Sequence, residues 1–100
     1  MAVEFYEDKS CKKKIEKIID FGVVEVGNKK EISFYIKNDG IYSIHEFKLI
    51  VDYKEITIHG TPPVLQPNKP VEITIVWKPL LSRKEALKTE ISAQGYYIVR

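Results

Sequence analysis

This chain of 100 residues contains one cysteine and two histidines, the residue types of most zinc sites and of cysteine–histidine pairs: Cys11, His45 and His59. A zinc site needs three or four ligands at short spacings such as Cys-x-x-Cys or His-x-x-x-His, and the sequence contains neither pattern. A cysteine and a histidine that act together meet only in space, so the sequence leaves such a pair open. The lysines beside Cys11 favour a lowered pKa of its thiol. We expect no metal site, and surface or turn positions for both histidines.

Carboxylates and glycines add no catalytic pattern. Asp20, Asp39 and Asp52 lack the spacing of a calcium-binding loop. The chain has no Gly-x-Gly-x-x-Gly and no phosphate loop, so Gly22 and Gly27 are better explained as turns. We therefore predict that the protein is not an enzyme and binds no cofactor.

The charge pattern argues against nucleic acid and membranes as partners. The chain carries 16 basic and 14 acidic residues, which are interspersed and give a formal net charge of +2. One basic cluster exists at residues 12–14, with Lys9 and Lys17 beside it, but acidic residues flank it, as is typical of a solvated edge. No apolar run approaches the roughly 18 residues of a membrane span.

Two features bear on the compartment. The N-terminus is acidic and lacks a basic segment followed by an apolar one, so it does not read as a secretory signal. Cys11 is the only cysteine, so no intrachain disulfide is expected. Both favour a reducing environment, and we expect a cytoplasmic protein or part of a particle that assembles inside the cell.

Alternation typical of strands dominates the chain. In residues 31–37, Ile32, Phe34 and Ile36 recur with a period of two, which places them on one face of a strand. The same alternation occurs in residues 47–54, 56–59 and 71–78, and more weakly in residues 87–93 and 96–99. Asn-Asp-Gly at residues 38–40 and the proline-rich residues 60–70 are turn signals. The pattern predicts an all-β fold, an antiparallel immunoglobulin-like β-sandwich of about seven strands.

Two segments allow more than one interpretation. Residues 82–85 (Ser-Arg-Lys-Glu) have the spacing of a capping box, so residues 82–88 form either one helical turn or a polar connection. Residues 9–18 fit a frayed helix, an extended arm or a strand, and we favour an arm that enters a strand near Ile15. The expected organisation is an N-terminal extended arm, residues 1–14, followed by one sandwich domain, residues 15–100.

The order of these turns and strands resembles a known group of domains. The features that carry the resemblance are an aromatic–glycine pair at Phe21 and Gly22, a glycine turn at Gly27, Asn38 and Gly40 after the alternating strand, and Trp77 followed by Pro79. They are similar to the ASH or hydin-type immunoglobulin-like domains, which are related to the major sperm protein (MSP) domain. The resemblance covers residues 20–99 and implies the same two-sheet scaffold.

The same residues have expected structural roles. Gly22 would allow a close crossing of the backbone. Gly27 and Asn28 would form a two-residue reversal between strands. Asn38 and Gly40 would turn the chain, and Trp77, beside Pro79, would close one end of the sandwich. These roles specify a scaffold and no site.

Aromatic and β-branched residues on the outer strand faces are the best candidates for binding. The expected interaction surface consists of Tyr35, Ile50, Val76, Tyr96 and Tyr97. The outer face of a sheet normally carries some such residues, so they do not by themselves require a partner. We expect a non-enzymatic protein–protein interaction or assembly module that acts through a sheet face or edge, with a protein partner or a second copy in a homo-oligomer. The alternatives are a structural component of a larger particle, such as a virion decoration or tail accessory protein, and a carbohydrate-binding module.

Overall fold

The computed structural model describes residues 2–82 and 84–98, and these residues contain nine strands and no helix. In chain order the strands are β1 (Val3–Tyr6), β2 (Lys14–Ile15), β3 (Ile18–Gly22), β4 (Lys30–Asn38), β5 (Ile44–Val51), β6 (Ile56–His59), β7 (Val64–Leu65), β8 (Val71–Trp77) and β9 (Leu87–Tyr97). The first sheet has the order β2-β1-β4-β8-β6 and the second the order β3-β9-β5-β7. Neighbouring strands pair antiparallel, so the predicted all-β sandwich is confirmed, with nine strands instead of about seven.

The alternation that predicted the strands also decides which side chains enter the core. β4 and β8 pair with Phe34 opposite Ile73 and Ile32 opposite Ile75, so their apolar positions share one face. Phe34, Ile73 and Ile75 are buried there. On the opposite face of the same strands Ser33 pairs with Thr74 and Tyr35 with Glu72, because a sheet with one face in the core can leave the other to solvent.

Aromatic rings pack both within the first sheet and between the two sheets. The rings of Phe5 and Phe34 stack within the first sheet, with centroids 5.1 Å apart. Phe21 of β3 meets Trp77 of β8 edge-on at 5.8 Å, and this contact joins the second sheet to the first. Trp77 is fully buried at the end of β8, which agrees with its expected place at one end of the sandwich.

The N-terminal segment differs from the extended arm that we expected. Residues 3–6 form β1, which pairs with β4 from Val3 opposite Asn38 to Tyr6 opposite Tyr35. Val3 and Phe5 are buried in the common core. The segment therefore belongs to the sandwich, because its alternate apolar residues and its ladder to β4 place it inside the first sheet.

Residues 7–13 connect β1 to β2 in a hairpin that the Asp8 carboxylate organises. The carboxylate accepts hydrogen bonds from the backbone N–H of Lys13 at 2.9 Å and from that of Lys12 at 3.1 Å. The Ser10 hydroxyl donates a third hydrogen bond to it. These donors lower the pKa of Asp8, the Ser10 hydroxyl contributing most. In β2, Ile15 then pairs with Phe5 of β1. The strand that the sequence predicts near Ile15 is therefore present.

The connections at the other end also differ from expectation. Gly27 does not close a two-residue hairpin, because β3 and β4 lie in different sheets. The turn spans residues 25–28, with the Asn28 N–H donating to the Glu25 carbonyl at 3.1 Å. The described residues between β8 and β9 form no helical turn, and Arg83 lies outside the described residues. The expected last strand at residues 96–99 is the continuation of β9 as far as Tyr97, and Val99 also lies outside them.

No helix long and apolar enough to cross a membrane occurs among residues 2–82 and 84–98.

Candidate functional site

The longest strand, β9, changes neighbours halfway along its length. Its first half pairs with β3, from Leu87 opposite Gly22 to Glu90 opposite Ile18. Its second half pairs with β5 on the other side, from Ile91 opposite Val51 to Tyr97 opposite Ile44. Along β9 the pairing with β3 thus stops at Glu90 and the pairing with β5 starts at Ile91. On the β3 side, the position next to the second half of β9 has no strand among the described residues. We call residues 92–98 the open edge.

Backbone geometry shows which groups point out of the open edge. The Ile91 N–H donates to the Lys17 carbonyl at 2.8 Å, on the side of β3. In a strand, successive residues direct their N–H and C=O groups to opposite sides. By this alternation we infer that Ala93, Gly95 and Tyr97 point to the same side as Ile91, away from β5. Here the alternation is carried across the register shift between His45 and Lys48, which lies opposite Gly95. On this inference, the N–H and C=O groups of these three residues are available to another strand.

The open edge is uncharged and carries two exposed tyrosines. Residues 92–98 read Ser-Ala-Gln-Gly-Tyr-Tyr-Ile, without a charged residue or a proline. Tyr96 is 47% and Tyr97 37% exposed. The ring of Tyr96 stacks on His45 at 5.9 Å, and that of Tyr97 lies 6.2 Å from Tyr42. Two partly exposed aromatic side chains thus lie at the margin of the second sheet, each packed against a second ring.

The other unpaired edges carry features that discourage the addition of a strand. Charged residues lie on β2 (Lys14), on the part of β4 that extends past β1 (Lys30) and on β5 (Lys48). β3 is irregular between Asp20 and Gly22. β6 and β7 are only four and two residues long. Short strands, lysines and bulges are the usual protection of sheet edges. The open edge has no lysine and belongs to an eleven-residue strand, and its one irregularity is the register shift to β5 between His45 and Lys48, opposite Gly95.

The five residues expected to form an interaction surface do not lie together. Tyr35 and Val76 belong to the outer face of the first sheet, whereas Ile50, Tyr96 and Tyr97 belong to the second. Val76 is only 7% exposed, so it offers little surface although its strand position faces outward. The Tyr35 hydroxyl donates to Glu72 at 2.8 Å, and this bond is the main reason that the pKa of Tyr35 is raised.

Only Tyr96 and Tyr97 of the expected set belong to the open edge. Ala93 and Gly95, which supply backbone groups instead of side chains, were missed. The sequence signal that could have found them is the uncharged, proline-free run that ends the last strand. Gly95 is required inside the fold, because a Cβ there would lie 2.4 Å from Cγ2 of Ile44.

Asn38 does more than turn the chain. It is fully buried, and its side-chain amide donates to the Tyr42 carbonyl at 2.8 Å and the Leu65 carbonyl at 3.1 Å. Its amide oxygen accepts the Gly40 N–H at 2.9 Å. A Cβ at Gly40 would lie 3.1 Å from that same oxygen, which explains the glycine. The residue joins the turn after β4 to β7.

Gly22 and Gly27 are needed for their backbone conformation. Gly22 has a φ of 69° and Gly27 a φ of 92°, values that L side chains rarely adopt. A Cβ at either position would meet nothing within 4 Å, so the close crossing expected at Gly22 is not present. The Gly22 N–H donates to the Asp20 carboxylate at 2.8 Å, which fixes the irregular end of β3.

Pro79 lies in the loop that follows β8, and Glu55 holds this loop in place. The Glu55 carboxylate accepts a hydrogen bond from the indole N–H of Trp77 at 3.2 Å and another from the backbone N–H of Leu80. Leu80 and its neighbour Leu81 are strongly exposed beyond this anchor. The arrangement is structural, because one carboxylate satisfies both the buried indole and the start of the loop.

The residues of potential chemical use stand apart. His45, in β5 of the second sheet, stacks on Tyr96 of β9. His59 lies in β6 of the first sheet, where its Nε2 is 3.3 Å from the Thr57 hydroxyl. Cys11 contacts the Lys9 carbonyl through Sγ at 3.7 Å. Burial raises the pKa of the Cys11 thiol, so the lowered value that its lysine neighbours suggested is wrong. No cluster of three or more His, Cys, Asp and Glu suited to a metal ion occurs in the part of the chain that the structure describes.

Comparison of the chain with models of protein families, with curated proteins and with solved structures found no match.

Proposed function

We propose that the protein is a non-enzymatic interaction module that binds an extended segment of a protein chain along the open edge. The observation that carries the proposal is a stretch that has no strand on one of its sides and contains neither a charged residue nor a proline. Sheets that expose such an edge accept a further strand through main-chain hydrogen bonds. Of the sheet face and the sheet edge, the edge is the better supported.

The energetics indicate what the partner must supply. Ala93, Gly95 and Tyr97 offer one donor and one acceptor each, and each such bond contributes about 0.5–1.5 kcal/mol net. Association costs at least about 4 kcal/mol in lost freedom of motion, so the backbone alone gives weak binding. Side-chain contacts with the exposed rings of Tyr96 and Tyr97 must add to it. The partner segment is therefore extended and apolar at the positions next to these rings.

The ASH or MSP-like assignment is part of this proposal. What supports it is the two-sheet architecture, with a glycine turn at Gly27 before β4 and a buried Asn38 at its end. The proposed function does not depend on the assignment, because it follows from the unpaired part of β9.

A site-specific crosslinking experiment tests the proposal. A photoreactive amino acid at Gln94, on the open edge, is compared with one at Thr57, which is exposed on the outer face of the first sheet. The full chain is irradiated in an extract of its native source. We expect covalent adducts from position 94, with a second copy or with another protein, and few from position 57.

The variant Ala93→Pro supplies the specificity test. Proline removes the N–H of Ala93, which points away from β5, so the ladder inside the sheet is retained. Ala93→Val is the matched control, because it changes the side chain and keeps the donor. Adducts at position 94 should be lost in Ala93→Pro and persist in Ala93→Val, with circular dichroism showing a folded chain in both. Equal adducts in the two variants, or adducts from position 57 alone, would contradict the proposal.

A further inference from the structure

We infer that the open edge binds the open edge of a second copy, so that two β9 strands pair antiparallel about a two-fold axis at Gly95. This inference rests on the proposed function and names the partner. Its basis is that the open edge is complementary to itself in backbone and in side chains.

The backbone register follows from which residues are available. Ile91 already donates to Lys17, and Ala93, Gly95 and Tyr97 remain. In an antiparallel ladder, hydrogen-bonded pairs form between residues that point toward each other. One register pairs these three residues only among themselves: Gly95 lies opposite Gly95, and Ala93 lies opposite Tyr97 of the second copy. It uses each of the available donors and acceptors, since none of the three is proline.

The side chains of this register are compatible as well. On the outer face, Gln94 lies opposite Tyr96 of the second copy and Ser92 lies opposite Ile98. No charged residue occurs in residues 92–98, so no like charges face each other across the axis. A contact about a two-fold axis brings the same patch of both copies together, and a register symmetric about Gly95 meets this condition.

The second strand would continue the line of β3, where no described strand lies beside residues 92–97. β3 occupies the side of β9 next to Leu87–Glu90, and the Lys17 carbonyl closes that position at Ile91. The strand of the second copy would occupy the same side from residue 92 onward. The second sheets of the two copies then become one continuous sheet, with Tyr96 and Tyr97 of each copy near its centre.

Charge substitutions at one cross-strand pair test the register. In the variant Gln94→Lys, Tyr96→Lys, a lysine faces a lysine of the other copy at two places. In the variant Gln94→Lys, Tyr96→Glu, opposite charges meet there instead. Both variants lose the tyrosine ring and carry two charges, so they differ mainly in the sign of the cross-strand contact. Thr57→Lys, on the first sheet, is the control for added charge.

Sedimentation equilibrium of the full chain provides the readout. We expect a concentration-dependent dimer for the wild type and for Thr57→Lys. The lysine–lysine variant should dissociate with a dissociation constant about tenfold higher than that of the lysine–glutamate variant. High salt should reduce this difference.

The outcomes separate the inference from the proposed function. A wild-type chain that stays monomeric, while position 94 still forms proline-sensitive adducts with another protein, overturns the self-pairing and leaves the proposed function. A dimer that both double variants form equally overturns the register and the self-pairing at this edge. A monomer without such adducts overturns both.

Discussion

The amide of Asn38 should be among the most costly polar side chains to remove from this protein. Asn38→Ala deletes the two bonds that reach the Tyr42 and Leu65 carbonyls and the one that accepts the Gly40 N–H. Leaving a buried polar group without a partner costs about 1–3 kcal/mol, and the site around Leu65 is fully buried. We expect a loss of about 3 kcal/mol in the free energy of unfolding.

Urea unfolding at neutral pH measures this loss directly, with the midpoint of thermal unfolding as a second readout. For a domain of this size, each kcal/mol lowers the midpoint by about 4–8 °C, so Asn38→Ala should melt more than about 10 °C below the wild type. Gln66→Ala, at an exposed position beside the same contact, is the control and should change stability by less than about 0.5 kcal/mol. A loss below about 1 kcal/mol for Asn38→Ala would refute the role of the amide as a buried link between β4 and β7.

Two further predictions concern the backbone and the response to pH. Gly60→Ala should lower the free energy of unfolding, measured in urea, clearly more than Gly27→Ala. Both glycines have a positive φ, but only at Gly60 would the added Cβ lie 2.7 Å from a backbone carbonyl of β8. Equal losses in the two variants would contradict this close approach. Burial, and then the hydrogen bond of 3.0 Å to Asp39, raise the pKa of Tyr6 to about 12, so its neutral form is favoured in the folded state. The stability that Tyr6 contributes should be present below pH 10 and lost as the pH rises toward 12, and Tyr6→Phe should flatten this part of the stability profile; an unchanged profile would show that Tyr6 is not its source.

Local alternation was enough to predict the inner strands and the sandwich. β4 and β8 were recognisable because Phe34 and Ile73 each belong to a run with a period of two, and this period is a property of neighbouring residues. Their pairing was not predictable in the same way. It brings together residues about forty positions apart, and no local pattern reports which strands meet.

β1 shows how a short strand escapes notice. Val3 and Phe5 alternate with Glu4, but four residues at an acidic end of the chain are too few to outweigh an arm. What stabilises β1 is its ladder to the end of β4 and the burial of Phe5 against Phe34. Both partners lie about thirty residues away in the chain.

The sequence Asn-Asp-Gly at residues 38–40 predicts a turn role for Asn38. Its burial depends on the Leu65 carbonyl, 27 residues further on, which only the folded chain brings to it. A polar residue at the end of a buried strand was the sequence signal for this second role.

The candidate site was predictable only in part, for a related reason. Tyr96 and Tyr97 stood out as exposed aromatic residues, and both belong to the open edge. Whether an edge is open depends on the strand beside it, here on β3, which begins at Ile18 and so does not extend beside residues 92–98. The backbone groups of Ala93 and Gly95 carry no signature in the identity of their side chains.

Amide hydrogen exchange along β9 tests the open edge most directly. In dilute protein, the amides of Ala93, Gly95 and Tyr97 should exchange quickly, whereas those of Ser92, Gln94 and Tyr96, which face β5, should be protected. In concentrated protein or in the presence of the native partner, all six should be protected. If Ala93, Gly95 and Tyr97 are already protected in dilute, monomeric protein, the edge is covered by its own chain and the account is contradicted.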